Sequence, residues 1–268
     1  MHEQKELYAS KIFFNAALPL LKVIATDVPS LKAKFDKLTT VLQVSALDPE
    51  AEGGKYATHF IITEGEWETK LNAAHEAPDV ELEFKTIEAM NAFFKGKIGP
   101  KTLPKMKGII KNFPAFTAML MTLLKLSDLT GATQPPKDEE TKTLMVKCFF
   151  YLLSSGISQL NKMGHEGIKD WTSKSPDRVY AFAVDGHPEV AAFIRIKAGK
   201  SRAGRGEYKR AMPFFTLRFN NLDSALGILL SIDDMLEATK AGRLIMDGGP
   251  EFGAQLGGFM LEVGDLAK

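Results

Sequence analysis

The stretch VELEFKTIEAMNAFFKGKIGPKTLPKMKGIIKNFPAFTAMLMTLLKL, residues 80–126, decides the fold because its pattern returns at residues 215–263. Each copy opens with three apolar residues in strand alternation, namely Val80, Leu82 and Phe84 in the first and Phe215, Leu217 and Phe219 in the second. These two sets lie 135 positions apart, and after one inserted residue Phe116 matches Phe252 at a spacing of 136. A long, ordered match of this kind predicts two copies of one structural unit.

The repeat extends towards the start of each half. Phe-Phe pairs at 13–14 and 149–150 are 136 positions apart, and each opens an apolar stretch ahead of the first strand of its half. We therefore predict a first domain at 1–130, a linker at 131–137 and a second domain at 138–268. Both halves have an ordinary domain size. The alternative is a chance alignment of two generic α+β stretches.

Composition bounds the class of protein. With 45% hydrophobic and 25% charged residues, the chain has the composition of an average soluble globular protein, and its formal net charge of +1 argues against a general affinity for nucleic acid. The single cysteine, Cys148, lies in an apolar run and suits a reducing compartment. The first long apolar run, 12–28, contains Asn15, Pro19 and Lys22 and is predicted to be too short to span a membrane. The expected location is cytoplasmic.

Periodicity predicts the elements of each half. In the first half they are helices over 4–24 and 30–47, hairpin strands at 56–63 and 66–73 closed by Glu64-Gly65, a strand at 80–84, a helix over 86–95, a short strand at 107–111 and a helix over 113–126. In the second half they are a helix over 138–162, strands at 178–184, 190–198 and 206–219, helices from Leu222 and over 233–241, a strand at 243–246 and a helix from Pro250.

Motifs for catalysis are missing from the sequence. His75 and His165 are each followed by a glutamate but lack the second histidine of a zinc-protease helix, and Gly199-Lys200-Ser201 lacks the earlier glycine of a phosphate-binding loop. The sequence contains no nucleophile elbow, no dinucleotide fingerprint and no cysteine metal cluster. We therefore predict no catalytic residue, no metal and no cofactor, and expect the protein not to be an enzyme.

The predicted helix over 113–126 is apolar on every side. Such a helix needs two apolar surroundings. One is the sheet of its own half. The other is the opposite half, a membrane or a lipid-like ligand, and its methionines suit an adaptable wall because their unbranched side chains repack around different shapes.

The last hundred residues or so of each half resemble the sterol carrier protein 2 family. The resemblance lies in GRLIMDGGPEF, residues 242–252, which is similar to the glycine-rich turn before the final helix of that fold, and in FTLRFNNLDSALGILL, residues 215–230, which is similar to its third strand and ligand-side helix. In the first copy Asn112 is matched with Gly248. The resemblance implies a tandem α+β fold in which each half is a mixed, mainly antiparallel sheet covered by helices.

The same resemblance implies non-catalytic binding or transfer of a fatty acid, acyl-CoA, sterol-like or quinone-like lipid in an apolar tunnel. The alternative is a scaffold or accessory subunit of a lipid-metabolising or quinone-synthesising enzyme. The two halves are expected to pack as a pseudo-dimer. The predicted ligand wall comprises Phe93, Phe94, Phe116, Met119, Leu120 and Leu123 in the first half, and Ile228, Leu229, Phe252, Leu256 and Phe259 in the second.

A basic stretch at 197–210 is predicted to be a mobile hairpin tip without an equivalent in the first half. Its arginines and a lysine form a candidate contact for an anionic membrane or acidic protein partner: Arg202, Arg205, Lys209 and Arg210. The simpler interpretation, a solvated loop, stays open.

Overall fold

In this computed structural model, which describes residues 2–267, the chain forms two units with the same topology. Within that range, unit 1 holds residues 2–128 and 266–267, and unit 2 holds residues 129–265. The segment between the helices that end at Thr130 and begin at Glu139 contains neither helix nor strand.

The first half of the chain contains five helices and five strands among its described residues: α1 (Gln4–Ile12), continued by a π-helical turn (Phe13–Ala17), α2 (Leu20–Asp27), α3 (Pro29–Phe35), β1 (Thr39–Leu47), β2 (Lys55–Thr63), β3 (Glu66–Lys70), β4 (Val80–Phe84), α4 (Ile87–Phe94), β5 (Lys105–Lys107) and α5 (Phe113–Thr130).

The second half follows the same order with one added helix: α6 (Glu139–Lys162), α7 (Glu166–Lys174), β6 (Arg178–Val184), β7 (Ala192–Lys197), β8 (Lys200–Arg205), β9 (Phe215–Phe219), α8 (Leu222–Leu229), α9 (Met235–Lys240), β10 (Leu244–Asp247) and α10 (Pro250–Ala267). The added helix is α9, and α6 takes the place of α1, the π-helical turn and α2.

Each unit contains one five-stranded sheet. The strand order is β3-β2-β1-β4-β5 in unit 1 and β8-β7-β6-β9-β10 in unit 2. In each sheet the central strand pairs in parallel with one neighbour, β1 with β4 and β6 with β9, while the other pairings are antiparallel. The prediction of a duplicated α+β fold with mixed, mainly antiparallel sheets covered by helices is therefore confirmed.

Local sequence signals fix several of these elements. The hydroxyl of Thr86 accepts a hydrogen bond from the backbone N–H of Ala89 at the start of α4, and the side chain of Asn221 caps α8 in the same way. The hairpin between β2 and β3 turns at Glu64 and Gly65, whose φ angles are both positive. The predicted hairpin, the strand at 80–84 and both following helices are confirmed.

The predicted helix over 30–47 is wrong beyond Phe35. Leu31, Phe35 and Leu42 follow helical spacing, but α3 ends at Phe35 and β1 begins at Thr39. The apolar residues Leu42, Val44 and Ala46 are buried at every second position of β1, which fits a strand. The β-branched run at the start of β1 and a neighbour strand on each side decide in favour of the strand.

The predicted mobile tip at 197–210 is also wrong in part. Its middle forms β8, an edge strand that is hydrogen-bonded to β7 in register from Lys197↔Lys200 to Ala192↔Arg205. It has a topological equivalent in unit 1, because β3 is the corresponding edge strand of the first sheet. Charged side chains are ordinary on such edges, since they discourage pairing with another chain.

The pairing of Asn112 with Gly248 needs correction as well. A Cβ added at Gly248 would lie 2.5 Å from the carbonyl oxygen of Phe214, and one added at Gly108 would lie 1.8 Å from that of Asp79. Since Asp79 and Phe214 occupy the same place before β4 and β9, Gly108 is the true counterpart of Gly248. Both positions have positive φ angles and no room for a side chain.

Two helical stretches of the described chain, Gln4–Asp27 and Glu139–Lys162, are long and apolar enough to cross a membrane. The prediction that the first run is too short is wrong, because α1, the π-helical turn and α2 follow one another closely. Most of the apolar 18-residue window in each stretch is buried, 72% of it in the first and 78% in the second. Core helices of soluble proteins share this length, composition and burial.

Candidate functional site

An aromatic layer lies between the sheet of unit 2 and the helices that cover it. The ring of Tyr180 lies 5.0 Å from the ring of Trp171 on α7 and 6.5 Å from that of Phe252 on α10, measured between ring centres. It also contacts Phe214 and Phe215 at the start of β9, at 5.8 and 6.2 Å. Tyr180 is therefore the centre of the layer.

The sequence of β6 explains why Tyr180 points towards the helices. Tyr180, Phe182 and Val184 alternate along the central strand of the sheet and are all buried. Phe182 packs 5.6 Å from Phe150 on α6, so the same face of β6 is covered along its length. α10 covers the layer because Phe252 and Phe259 lie two turns apart on one face of that helix.

The hydroxyl of Tyr180 is the unusual feature of this layer. The residue is only 1% exposed, and its oxygen has no hydrogen-bond partner among the described residues. Buried polar atoms in proteins are nearly always paired, and an unpaired one costs about 1–3 kcal/mol. The hydroxyl of Tyr180 is therefore a polar atom of this layer whose hydrogen-bonding capacity the described residues leave unused.

A cationic group lies two residues before Tyr180 on the same face of β6. The guanidinium of Arg178 lies 3.7 Å from the ring centre of Phe214 and 5.6 Å from that of Phe252. Arg178 is half-buried and makes no ion pair with any residue that the structure describes. A cation stacked on aromatic rings without a carboxylate partner is free to meet an anionic or strongly polar ligand group.

The structure brings two of the sequence-predicted residues of unit 2 into this layer. Phe252 contacts Tyr180, and Phe259 lies 5.0 Å from Trp171. Leu256 lies between them on α10 and is buried. The remaining two, Ile228 and Leu229, lie on α8, where Leu229 is buried and Ile228 is half-buried.

In unit 1 the predicted residues divide between two helices. Phe93 and Phe94 on α4 pack against Phe84 at 5.4 and 5.6 Å, and Phe94 stacks on Phe13. The others lie on α5: Met119 and Leu123 are buried, Phe116 is half-buried and Leu120 is 41% exposed. Whether any of these eleven residues contacts a ligand stays a prediction.

The counterpart of the Tyr180 site in unit 1 has a different lining. The register with the neighbouring strands matches Leu42 with Tyr180 and Thr40 with Arg178. Unit 1 therefore has an aliphatic side chain in place of the tyrosine and a neutral one in place of the cation. The hydroxyl of Thr40 is also buried without a hydrogen-bond partner among residues 2–267.

A buried polar cluster lies on the other face of the sheet in unit 1. The carboxylate of Glu81 accepts hydrogen bonds from the side chains of Ser45 at 2.6 Å, Gln43 at 2.7 Å and Lys55 and Lys107 at 3.0 Å. Burial opposes its ionisation, but these hydrogen bonds outweigh burial and lower the pKa of Glu81 to about 2. The cluster is fully paired, which suits a structural role.

The predicted anionic-surface residues do not form one surface loop. Arg202 is exposed on β8, and Lys209 and Arg210 are exposed in the segment after it. Arg205 is exposed as well, on β8, but its guanidinium lies 5.0 Å from the ring centre of Tyr151, and partial burial lowers the pKa of Arg205. Their predicted role on an anionic surface stays a prediction.

Sequence reasoning missed Arg178 and Tyr180. Strand alternation places both on the helix side of β6, so the sequence carries a signal for the position of the hydroxyl. The sequence carries no signal that this hydroxyl lacks a hydrogen-bond partner within the described chain. Within the described part of the chain, no group of three or more His, Cys, Asp or Glu residues is placed to hold a metal ion.

No protein family model matches this sequence, and no curated protein matches it. Among solved structures, the chain is similar to a conserved hypothetical protein of Thermus thermophilus, whose name gives it as a possible sterol carrier protein. The match has 18% sequence identity and a TM-score of 0.30, and it covers 43% of this chain and 86% of that one.

Proposed function

We propose that the protein binds a hydrophobic ligand without chemical conversion, and that unit 2 holds this ligand in the aromatic layer beneath α10. The observation that carries the proposal is the buried hydroxyl of Tyr180, which lacks a hydrogen-bond partner among the described residues in an otherwise apolar surrounding. A ligand with an apolar body and one polar end supplies the missing partner. Burial of its chain contributes about 0.8 kcal/mol for each CH₂ group.

Arg178 supports a ligand whose polar end is anionic or strongly polar. Its guanidinium is held over Phe214 and lies on the same strand face as Tyr180, so both groups are available to one headgroup. Fatty acids and other lipids with an acidic end meet this requirement. On this basis we propose a carrier or transfer role for the protein.

The test is titration with a fluorescent fatty acid whose emission rises in an apolar surrounding. We expect Phe252→Asp to abolish the rise, because a carboxylate there lies among aromatic rings. The matched control is Phe116→Asp, the equivalent change on α5, which leaves binding by unit 2 unchanged. Circular dichroism of each variant confirms that it is folded.

Uptake that persists in the Phe252→Asp variant contradicts the proposed site. If uptake is lost only in Phe116→Asp, unit 1 holds the ligand. If the wild-type protein takes up no lipid and none co-purifies from its own host, the second function is favoured, a scaffold or accessory subunit of a lipid-metabolising or quinone-synthesising enzyme.

A further inference from the structure

The segment that follows α4 in unit 1, together with the first residue of α5, exposes apolar side chains to solvent. The exposed fractions are 96% for Ile110, 68% for Ile98, 59% for Phe113, 51% for Met106 and 47% for Leu103. Single exposed apolar residues are common on soluble proteins, but a cluster in one segment marks an interaction surface. These five residues and the lysines between them are called the 95–113 surface below.

Lysines alternate with these apolar residues, and no acidic residue accompanies them. Residues 95–111 contain six lysines and neither aspartate nor glutamate. Lys107 pairs with Glu81 and Glu83. The other five make no ion pair with any described residue: Lys95, Lys97, Lys101, Lys105 and Lys111. The surface therefore carries free positive charge as well as exposed apolar groups.

This combination fits the boundary between headgroups and acyl chains of an anionic bilayer. Apolar side chains enter that boundary, while lysines lie with their stems along it and their ammonium groups at the phosphates. Protein interfaces differ in composition, because they are rich in aromatic residues, methionine and arginine and depleted in lysine. The 95–113 surface has one aromatic residue, Phe113, and one methionine, Met106, but it contains six lysines and no arginine. The composition favours lipid over an acidic protein.

The apolar surface continues along α5. Leu120, Met121 and Leu124 are 41%, 45% and 56% exposed, and with Phe113 they lie at helical spacing on one side of that helix. Thr117 completes this stripe. From Ala89 to Ser127 the chain contains seven lysines and no acidic residue, so the charge pattern extends over the same length.

Unit 2 provides an internal contrast. Its corresponding segment, residues 230–249, contains four acidic residues and two basic ones. Leu236 is 63% exposed and Ile232 is 47% exposed there, so apolar exposure alone does not distinguish the segments. The two segments differ in charge, because the segment of unit 1 is basic and that of unit 2 is acidic.

We propose that the 95–113 surface of unit 1 docks the protein on anionic lipid bilayers. Its apolar residues enter the headgroup region, and the unpaired lysines Lys95, Lys97, Lys101 and Lys111 face the lipid phosphates and carboxylates. Lys105 lies on the opposite face of β5 from Met106. This docking does not depend on the ligand site of unit 2.

The test is co-sedimentation of the full chain with phosphatidylcholine vesicles, with and without phosphatidylserine. We expect binding only to the anionic vesicles, with an affinity that falls as salt rises, because such attraction is screened over roughly 10 Å at 0.1 M salt. Lys97→Glu with Lys101→Glu should weaken binding by at least about tenfold. Ile110→Asp should weaken it several-fold, because it removes the apolar contact without changing the lysines.

Two further variants are compared with these changes. Leu236→Asp alters an exposed leucine in the acidic segment of unit 2 and should bind as the wild type does. Arg202→Glu with Arg210→Glu reverses two exposed charges of the other candidate surface, and a larger loss there than in the Lys97→Glu, Lys101→Glu variant overturns the proposal. Equal binding of the wild type and the Lys97→Glu, Lys101→Glu variant overturns the proposal. So does binding to a soluble acidic peptide that matches vesicle binding and is unaffected by Ile110→Asp, since that result assigns the surface to a protein.

Discussion

β4 of unit 1 and β9 of unit 2 occupy the same place in their sheets but carry opposite charges. On β4, Glu83 pairs with Lys55 and Lys107; at the equivalent position of β9, Arg218 pairs with Asp185 and Asp247. The pairing register makes Asp247 the counterpart of Lys107. The comparison indicates that a paired charge is required at the position of Glu83 and Arg218, and that either sign of charge is tolerated there.

The neighbouring position sharpens the difference. Glu81 is buried with four side-chain donors in unit 1, whereas its counterpart Thr216 is a half-buried neutral residue in unit 2. On the helix side the relation is reversed, since unit 2 has Tyr180 where unit 1 has Leu42. Unit 1 therefore has a paired polar cluster on one face of its sheet, and unit 2 has on the opposite face a tyrosine hydroxyl that is unpaired within the described chain. We interpret the cluster of unit 1 as structural and the site of unit 2 as ligand-binding.

The largest expected effect is on the stability of unit 1. Glu81→Ala should lower its free energy of unfolding by about 3 kcal/mol, because it leaves the donors of Gln43, Ser45 and two lysines without their shared acceptor. Thr216→Ala in unit 2 is the matched control and should cost less than about 1 kcal/mol.

The two tryptophans make this measurement specific. Trp67 lies in unit 1 and Trp171 in unit 2. Urea unfolding followed by fluorescence in a Trp171→Phe background reports unit 1, and in a Trp67→Phe background it reports unit 2. Equal losses from Glu81→Ala and Thr216→Ala contradict the structural role of the cluster.

The next largest expected effect is a dependence of the stability of unit 1 on pH. The pKa of Glu81 is lowered from 4.5 to about 2 in the folded protein. Its ionised form therefore stabilises the fold above the ordinary pKa, and that stabilisation is lost as the pH falls towards 2. The difference corresponds to at most about 3 kcal/mol.

Urea midpoints of unit 1 measured between about pH 6 and pH 3 should fall more steeply in the wild type than in Glu81→Gln. The glutamine keeps the shape of the side chain but does not titrate. Parallel slopes for the two proteins show that Glu81 is not held ionised by its neighbours.

Much of the fold is predictable from the sequence because the second copy supports the first. The repeat of Phe84 by Phe219, with matched helices after both, predicts the strand and the helix that follows it. The parallel pairing of that strand appears only in the structure. β1 was not predicted, because Leu31, Phe35 and Leu42 fit a helix while Thr40 to Ala46 also fit a strand. Pairing with the neighbouring strands decides in favour of the strand. β8 was not predicted either, because the sequence of an edge strand that is rich in charged residues resembles the sequence of a loop.

The candidate site is less predictable, and the reason is physical. The apolar residues of α10 are visible in the sequence because Phe252 and Phe259 follow helical spacing. The significance of Tyr180 depends on the lack of a donor or acceptor within reach among the described residues, which only the packed structure shows. Likewise, the lysines at 95–111 are countable in the sequence, but their freedom from carboxylates depends on where the strands place Glu81 and Glu83.

The smallest expected change in free energy comes from Tyr180→Phe. This variant tests most directly the central claim, that the aromatic layer of unit 2 binds the ligand. In Tyr180→Phe, loss of the unpaired hydroxyl should raise the free energy of unfolding of ligand-free unit 2 by about 1 kcal/mol, because a buried oxygen without a partner no longer opposes folding. The same change should weaken binding of a fatty acid by about tenfold, because the ligand loses its hydrogen bond. Tyr56→Phe, on β2 of unit 1, is the control and should leave ligand binding unchanged.

Stability and affinity are measured on the same preparations, by urea unfolding followed through Trp171 and by titration with the fluorescent fatty acid. A gain in stability together with a loss of affinity is the result that a ligand-binding hydroxyl predicts. Unchanged affinity in Tyr180→Phe, with or without a change in stability, contradicts the assignment of the ligand site to the aromatic layer of unit 2.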